Sequence, residues 1–287
     1  MSLKNFTLTL LLLSTTSIAI AEPLYWSARK DGRDLLLMGS IHVGRADMYP
    51  MPEYVNDYLN MSDGLITEID PNSVQSPQFP QAEFSALDVL EIEEQRELKS
   101  RLKQFGLPSQ LVNAPPWLSA VTLQMAKFSQ LGYSAEDGID RYYETKAKEI
   151  GLPNYGFETA ESQLNVLNDL PNNGAALLLE LIQEWEQVDA QLECQVASWK
   201  SGDKKRLLSM LEGEYYDKTT LAPLLMDRNK NWADMLESDW LPEQGRFLVV
   251  VGALHLIGED NLPLLLKNRG WQVEQVSTST LAQCDIN

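Results

Sequence analysis

Both histidines of this chain sit in the same setting. His42 closes the run Leu35-Leu36-Leu37-Met38-Gly39-Ser40-Ile41-His42, and His255 closes Leu248-Val249-Val250-Val251-Gly252-Ala253-Leu254-His255. Each run is an apolar strand pattern followed by Gly-x-x-His, with a further Gly shortly after. With 16 glycines in 287 residues, a Gly three places before both histidines arises by chance in about one such chain in three hundred. Imidazole is both the commonest general acid–base at neutral pH and a common metal ligand. A single histidine at a strand end is more often a satisfied core or capping residue. Two in one context are better explained by a shared role at the C-terminal edge of a sheet, where α/β proteins bind ligands and where Gly lets the chain turn.

Charged residues occur where burial makes them costly. Glu68 lies near the end of the strand-like run Leu65-Ile66-Thr67-Glu68-Ile69, and a carboxylate there needs a partner or a cation. Glu158 repeats the theme in Tyr155-Gly156-Phe157-Glu158, or else serves as a carboxylate near a helix N-terminus. Asp140 reads either as a plain N-cap or as a site residue. Arg228 is four residues from both Leu224 and Trp232 and so lies on an apolar helical stripe. Facing inward, it needs a carboxylate or bound anion; the alternative is a guanidinium reaching solvent from the core margin.

The elements that must position these groups can be read from periodicity and turn residues. Leu24–Ala28 and Asp34–Ser40 are strands joined through Asp31-Gly32, a hairpin signal. Further strands are expected at Leu65–Ile69, Tyr155–Glu158, Arg246–Val251 and Trp271–Val276. Between them lie helical patterns, among them Asp88–Phe105, Pro116–Leu131, Asp140–Ile150, Gly174–Trp199 and Leu221–Leu236. The expected fold is α/β (α+β), with a mixed central sheet built from N- and C-terminal strands and a large helical insertion.

Composition sets the class. The chain is 44% hydrophobic and 22% charged, which is globular. A net charge of −18 argues against nucleic-acid binding. Residues 1–21 have the layout of a secretory signal peptide: Lys4, an apolar stretch from Thr7 to Ile20, and Ala19-Ile20-Ala21 as a cleavage site before Glu22. Residues 22–287 are then expected to form a single domain, exported to the periplasm, with no stable membrane anchor after cleavage. Export permits a Cys194–Cys284 disulfide, which would staple the C-terminal tail to a helix; two free buried thiols are the alternative.

Taken together, these motifs resemble the TraB/PrgY/GumN/TIKI family, in its GumN-like exported bacterial branch. The matching pieces run along nearly the whole chain after the leader: Gly39-Ser40-Ile41-His42, Thr67-Glu68, Pro116-Trp117, Gly138-Ile139-Asp140, Phe157-Glu158-Thr159 with Gln163-Leu164, Arg228-Asn229 with Trp232, Gly252-Ala253-Leu254-His255, and Gly270-Trp271 with Val273. The resemblance implies a fold similar to the erythromycin esterases and a metal-dependent, peptidase-like site, with manganese or cobalt favoured. It points to His42, Glu68 and His255 as metal ligands, and to Arg228, Asn229, Asp140 and Glu158 as supporting site residues. Two imidazoles and a carboxylate suit a divalent metal with open positions for water. There is no H-E-x-x-H motif and no Gly-x-Ser-x-Gly elbow, so the usual zinc-protease geometry and serine hydrolysis are not expected. The substrate would be a peptide or small molecule. A non-catalytic binding protein and a metal-free, esterase-like hydrolase with a histidine base are the rival readings.

Overall fold

A computed structural model describes residues 21–75, 78–212 and 216–284. The expected leader therefore lies outside the described residues, apart from Ala21. Six strands are described: β1 (Tyr25–Lys30), β2 (Arg33–Ser40), β3 (Gly64–Ile69), β4 (Asn154–Glu158), β5 (Gly245–Gly252) and β6 (Gln272–Gln275). The helices are α1 (Glu53–Asn60), α2 (Ala86–Val89), α3 (Ile92–Gln104), α4 (Pro116–Gln130), α5 (Ile139–Glu149), α6 (Ala160–Asn168), α7 (Ala175–Gln183), α8 (Val188–Ser201), α9 (Lys204–Ser209), α10 (Lys218–Leu221), α11 (Asp227–Glu237) and α12 (Leu262–Asn268). A π-helical turn, Ala222–Met226, joins α10 to α11.

The strands form one mixed sheet in the order β4-β3-β5-β2-β1-β6. The hairpin β1–β2 is antiparallel, and Asp31 and Gly32 take φ of 49° and 88°, the pair of positive values that a tight hairpin turn of this kind needs. β5 lies between β2 and β3 and is parallel to both. Parallel strands at a sheet centre are covered on both faces, which is why Leu35–Met38, Leu65-Ile66 and Phe247–Val251 are continuous apolar runs, almost wholly buried. In register, Ser40 pairs with Gly252 and Ile69 with Glu158, so four strand ends carrying chemistry meet at one edge.

Two hydrophobic cores result. One packs both sides of the sheet and takes in Leu192, Val196 and Trp199 of α8. The other lies within the helical insertion, among α3, α4 and α7, around Leu98, Leu123, Leu178 and Trp185. Phe128 of α4 packs against both.

Three expectations change. The helix read over Asp88–Phe105 is two helices, because Glu91 begins a second one: the Glu94 side chain accepts from its backbone N–H in a capping box. The helix read over Gly174–Trp199 breaks at residues 184–187. Its apolar stripe is continuous, but Leu178 to Val188 belong to the insertion core and Leu192 onward to the sheet core, so the chain changes direction between them. Asp140 is not an N-cap: Gly138 holds that position, and Asp140 lies in the first turn of α5 with its side chain turned to the sheet edge. The expected Cys194–Cys284 disulfide is present, with Cα atoms 5.3 Å apart.

Candidate active site

All seven residues singled out from the sequence meet at the C-terminal edge of β2, β3 and β5. His42 follows β2, Glu68 is the penultimate residue of β3, and His255 lies in the turn Ala253–Leu256 after β5. His42 Nε2 and His255 Nε2 are each 3.8 Å from the same oxygen, Glu68 Oε1. Parallel pairing of β2 with β5 is what brings together two histidines so far apart in the chain.

Each imidazole is oriented by its other nitrogen. His42 Nδ1 donates to Asp140 Oδ2 at 3.0 Å, and Asp140 Oδ1 accepts from Ser40 Oγ at 2.7 Å. His255 Nδ1 lies 2.7 Å from Asn229 Oδ1, and the Asn229 amide donates to the Asp260 carbonyl, which leaves Oδ1 as the acceptor. Both Nε2 atoms therefore turn toward Glu68. The ring of His255 packs on Trp232, with centroids 4.4 Å apart.

Arg228 closes the far side. It makes a two-pronged pair with Glu158 (Nε–Oε1 and Nη2–Oε2, both 2.9 Å) and donates to Glu68 Oε2 at 2.6 Å. Its Nη1 reaches the Leu224 carbonyl of the π-helical turn at 3.1 Å and His255 Nε2 at 3.2 Å. The inward reading of the arginine is thus the one observed, with both candidate carboxylates as partners. Trp232 Nε1 donates to Glu158 Oε1 at 2.8 Å, which fixes that carboxylate beneath the guanidinium.

The electrostatics follow from this arrangement. Burial opposes ionisation of Glu68, but the facing His255 and His42, Arg228 and the Gly252 N–H (2.7 Å) together hold its carboxyl well below the usual range. The Asp140 carboxylate pushes the His42 pKa up to about 10, although solvent at the exposed face of that ring screens part of the attraction. His255, 4% exposed, is driven the other way by burial, down to about 3, so it is neutral, with its Nε2 lone pair facing Arg228 Nη1. Glu68 and Glu158 keep the Arg228 guanidinium charged against the cost of burying it.

Gly252 explains the motif. It does not adopt positive φ, so the conformational reason expected from the sequence does not apply. The reason is space: a Cβ at Gly252 would stand 3.2 Å from Glu68 Oε1, 3.5 Å from His255 Cδ2 and 3.6 Å from His42 Nε2. Gly39, its counterpart, lies where a Cβ would come within 3.0 Å of the Ala253 backbone. Gly39 lets its strand end lie close against Ala253, and Gly252 keeps the space before both imidazoles and Glu68 free of a side chain.

Sequence reasoning assigned no role to Ser40, Gln163 or Trp232, yet Ser40 braces Asp140, Gln163 Nε2 donates to Glu68 Oε2 at 3.2 Å, and Trp232 holds Glu158 and covers His255. All three stand inside the quoted motifs, which was the available signal. Among the described residues, no group of three His, Cys, Asp or Glu side chains stands in a ready-made metal-ligand arrangement. Arg228 already donates to Glu68 and to His255 Nε2. The donor set still suits a divalent ion: two Nε2 atoms with Nδ1 fixed by an acceptor, a carboxylate, and a cradle beside Gly252.

Fold and site define an α/β protein with a histidine–carboxylate–arginine cluster at a parallel strand edge. The TraB/PrgY/gumN family model matches residues 24–275, and the chain belongs to that family. It is similar to the uncharacterized protein YbaP of Escherichia coli (strain K12), 34% identical over 237 residues that cover 82% of this chain and 88% of that protein. The YbaP protein of Shigella flexneri is 34% identical over 233 residues, 80% of this chain and 87% of that protein.

Proposed function

We propose that this cluster is the active site of a divalent-metal-dependent hydrolase acting on peptide bonds. The observation that carries the reading is the convergence of two oriented imidazoles, from separate strands, on one oxygen of Glu68 at the same 3.8 Å. His42, His255 and Glu68 would hold the ion, with manganese or cobalt favoured by the family resemblance. Such an ion supplies a more acidic bound water and polarises a scissile carbonyl. Asp140 and Asn229 hold the rings in the required tautomers. Glu68, Glu158 and Asp140 set three carboxylates against the Arg228 guanidinium and the His42 imidazolium, whose proton an incoming cation would displace, so the cluster has an excess of negative charge that favours a cation. Arg228 is the group to bind a substrate carboxylate or a developing oxyanion. The disulfide suits an oxidising compartment, so we place the activity in an exported, periplasmic setting.

A metal-free hydrolase is the second reading, favoured by Arg228 lying on Glu68 and against His255 Nε2. There a histidine of the cluster would serve as general base once substrate draws Arg228 away. Metal analysis of protein purified without a histidine tag, with turnover of a mixed peptide library in EDTA and with added Mn²⁺ or Co²⁺, separates the readings. Bound metal and metal-dependent cleavage are expected, and Gly252→Ala should weaken both at least tenfold while leaving the urea midpoint almost unchanged. Cleavage undiminished in EDTA would select the metal-free hydrolase, and saturable binding without cleavage would select a binding protein.

A further inference from the structure

A cavity of about 720 Å³ opens between the two cores, walled by α4, α7, α8 and α9. That is within the range of ligand sites, which favour seams between packed units. Its lining draws on both cores: Leu181 and Val188 from the insertion, Leu192 and Leu207 from the sheet core. It also includes Leu254, the residue before His255 on the strand-end turn. One lining residue is therefore the chain neighbour of a candidate catalytic histidine, their Cα atoms about 3.8 Å apart, although the cluster's own side chains do not line the cavity.

Beside Arg206, whose Nη2 donates to the Cys284 carbonyl, the lining has three kinds of chemistry. The leucines and Val188 offer an apolar floor. Gln124, Gln191 and Gln195 line it with amides that both donate and accept, the complement of a peptide backbone. Glu180 and Glu184, one helical turn apart on α7 and its C-cap, put two partly buried carboxylates on the same wall. Neither forms an ion pair among the described residues; Glu180 accepts a hydrogen bond from Tyr216 instead. Like charges at this spacing disfavour each other, and a cation between them would relieve that.

We infer that this cavity is the cleft for an extended peptide with apolar side chains and a basic residue, the basic group lying against Glu180 and Glu184 and the chain running past Leu254 to the histidine cluster. The inference rests on the hydrolase reading for the direction of the chain, but the cleft itself can be tested without turnover.

The probe is a fluorescein-labelled octapeptide of alternating Leu and Lys, titrated by anisotropy into the full mature protein in EDTA. Matched peptides carry Glu in place of Lys, or Ser in place of Leu. The Leu/Lys peptide should bind at least tenfold more tightly than either. Glu180→Gln with Glu184→Gln should weaken it about tenfold, whereas Glu53→Gln with Asp57→Asn, the same charge change on α1, should alter it less than twofold. Gln124→Trp, which fills the cavity from α4, should also abolish tight binding, with circular dichroism and a thermal melt confirming the fold of each variant. Equal weakening by the α1 pair would mean general attraction to an acidic protein and would overturn the inference, as would binding indifferent to Gln124→Trp. Specific binding with no cleavage under any metal would instead sink the hydrolase reading and leave the cleft standing.

Discussion

His42 and His255 have matching motifs but opposite surroundings, and their substitutions should differ accordingly. His42 is open to solvent, and its removal leaves Asp140 still bonded to Ser40. His255 is buried, and its loss strips Asn229 Oδ1 of its donor, at a cost of about 1–3 kcal/mol. Both alanine variants should lower the same activity about a hundredfold or more, and the double variant should be no worse than either single one. Urea unfolding beside peptidase assays checks this; additive losses would show that the two imidazoles do not act as a unit. The same contrast sets a pH dependence. His255 is held at about 3 when folded, while an unfolded imidazole titrates near 6.5. Between those values the unfolded chain binds the extra proton. Its contribution is present above pH 6.5 and is lost as pH falls toward 3. In EDTA, the urea midpoint of the wild type should fall from pH 6.5 to about 4.5, before Glu68 and other carboxyls join in, and His255→Gln should flatten that limb. An unchanged slope in the variant would assign the acid limb elsewhere. His42, raised by Asp140, has the reverse sign: its contribution is full below 6.5 and is lost as pH rises toward about 10.

Among the elements, β5 sets the geometry, since it is the parallel neighbour of both the His42 strand and the Glu68 strand. The helices around it hold Asp140, Asn229 and Arg228 to that edge. The C-terminal tail is fastened separately to α8 and α9. Beside the Cys194–Cys284 bond, Thr280 N–H donates to Ser201 O, Ala282 N–H to Asp203 Oδ2, and Arg206 Nη2 to Cys284 O. Loop-entropy arguments for a bond spanning 90 positions give about 4–5 kcal/mol, and the three surviving hydrogen bonds should reduce the loss. Cys194→Ser with Cys284→Ser should therefore cost about 2–4 kcal/mol by urea unfolding and leave kcat unchanged, because neither cysteine touches the cluster. A fall in kcat in the folded variant would show that the tail reaches the site.

Across the whole molecule, the sheet core and the insertion core are linked through Phe128, which packs against both, and the cluster sits on the sheet core beside Trp232. A ligand bound there stabilises both, because binding to the native state alone raises the unfolding free energy by mass action. Mn²⁺ at a hundredfold excess over its dissociation constant should add about 2.7 kcal/mol and raise the melting temperature of metal-stripped protein by several degrees. His42→Ala should show no such rise, and a shift of equal size in that variant would place the ion elsewhere.

The sequence by itself determined the strands, the hairpin, the buried carboxylate of β3 and the paired Gly-x-x-His motifs, because alternation, turn residues and apolar runs are local signals. It also marked Arg228 as inward-facing, since its stripe is helical and the partner requirement follows from charge. Helix breaks were hidden: the stripe from Leu178 to Leu192 is unbroken in sequence, and only the division of its two halves between different cores shows where the chain turns. The tertiary structure alone decided that β2 and β5 are parallel neighbours, that Glu68 stands between the histidines, and that Gly252 serves as space rather than as a turn. Those facts depend on contacts across some two hundred positions, and long-range pairing is set by which buried faces fit together, a property no local pattern carries.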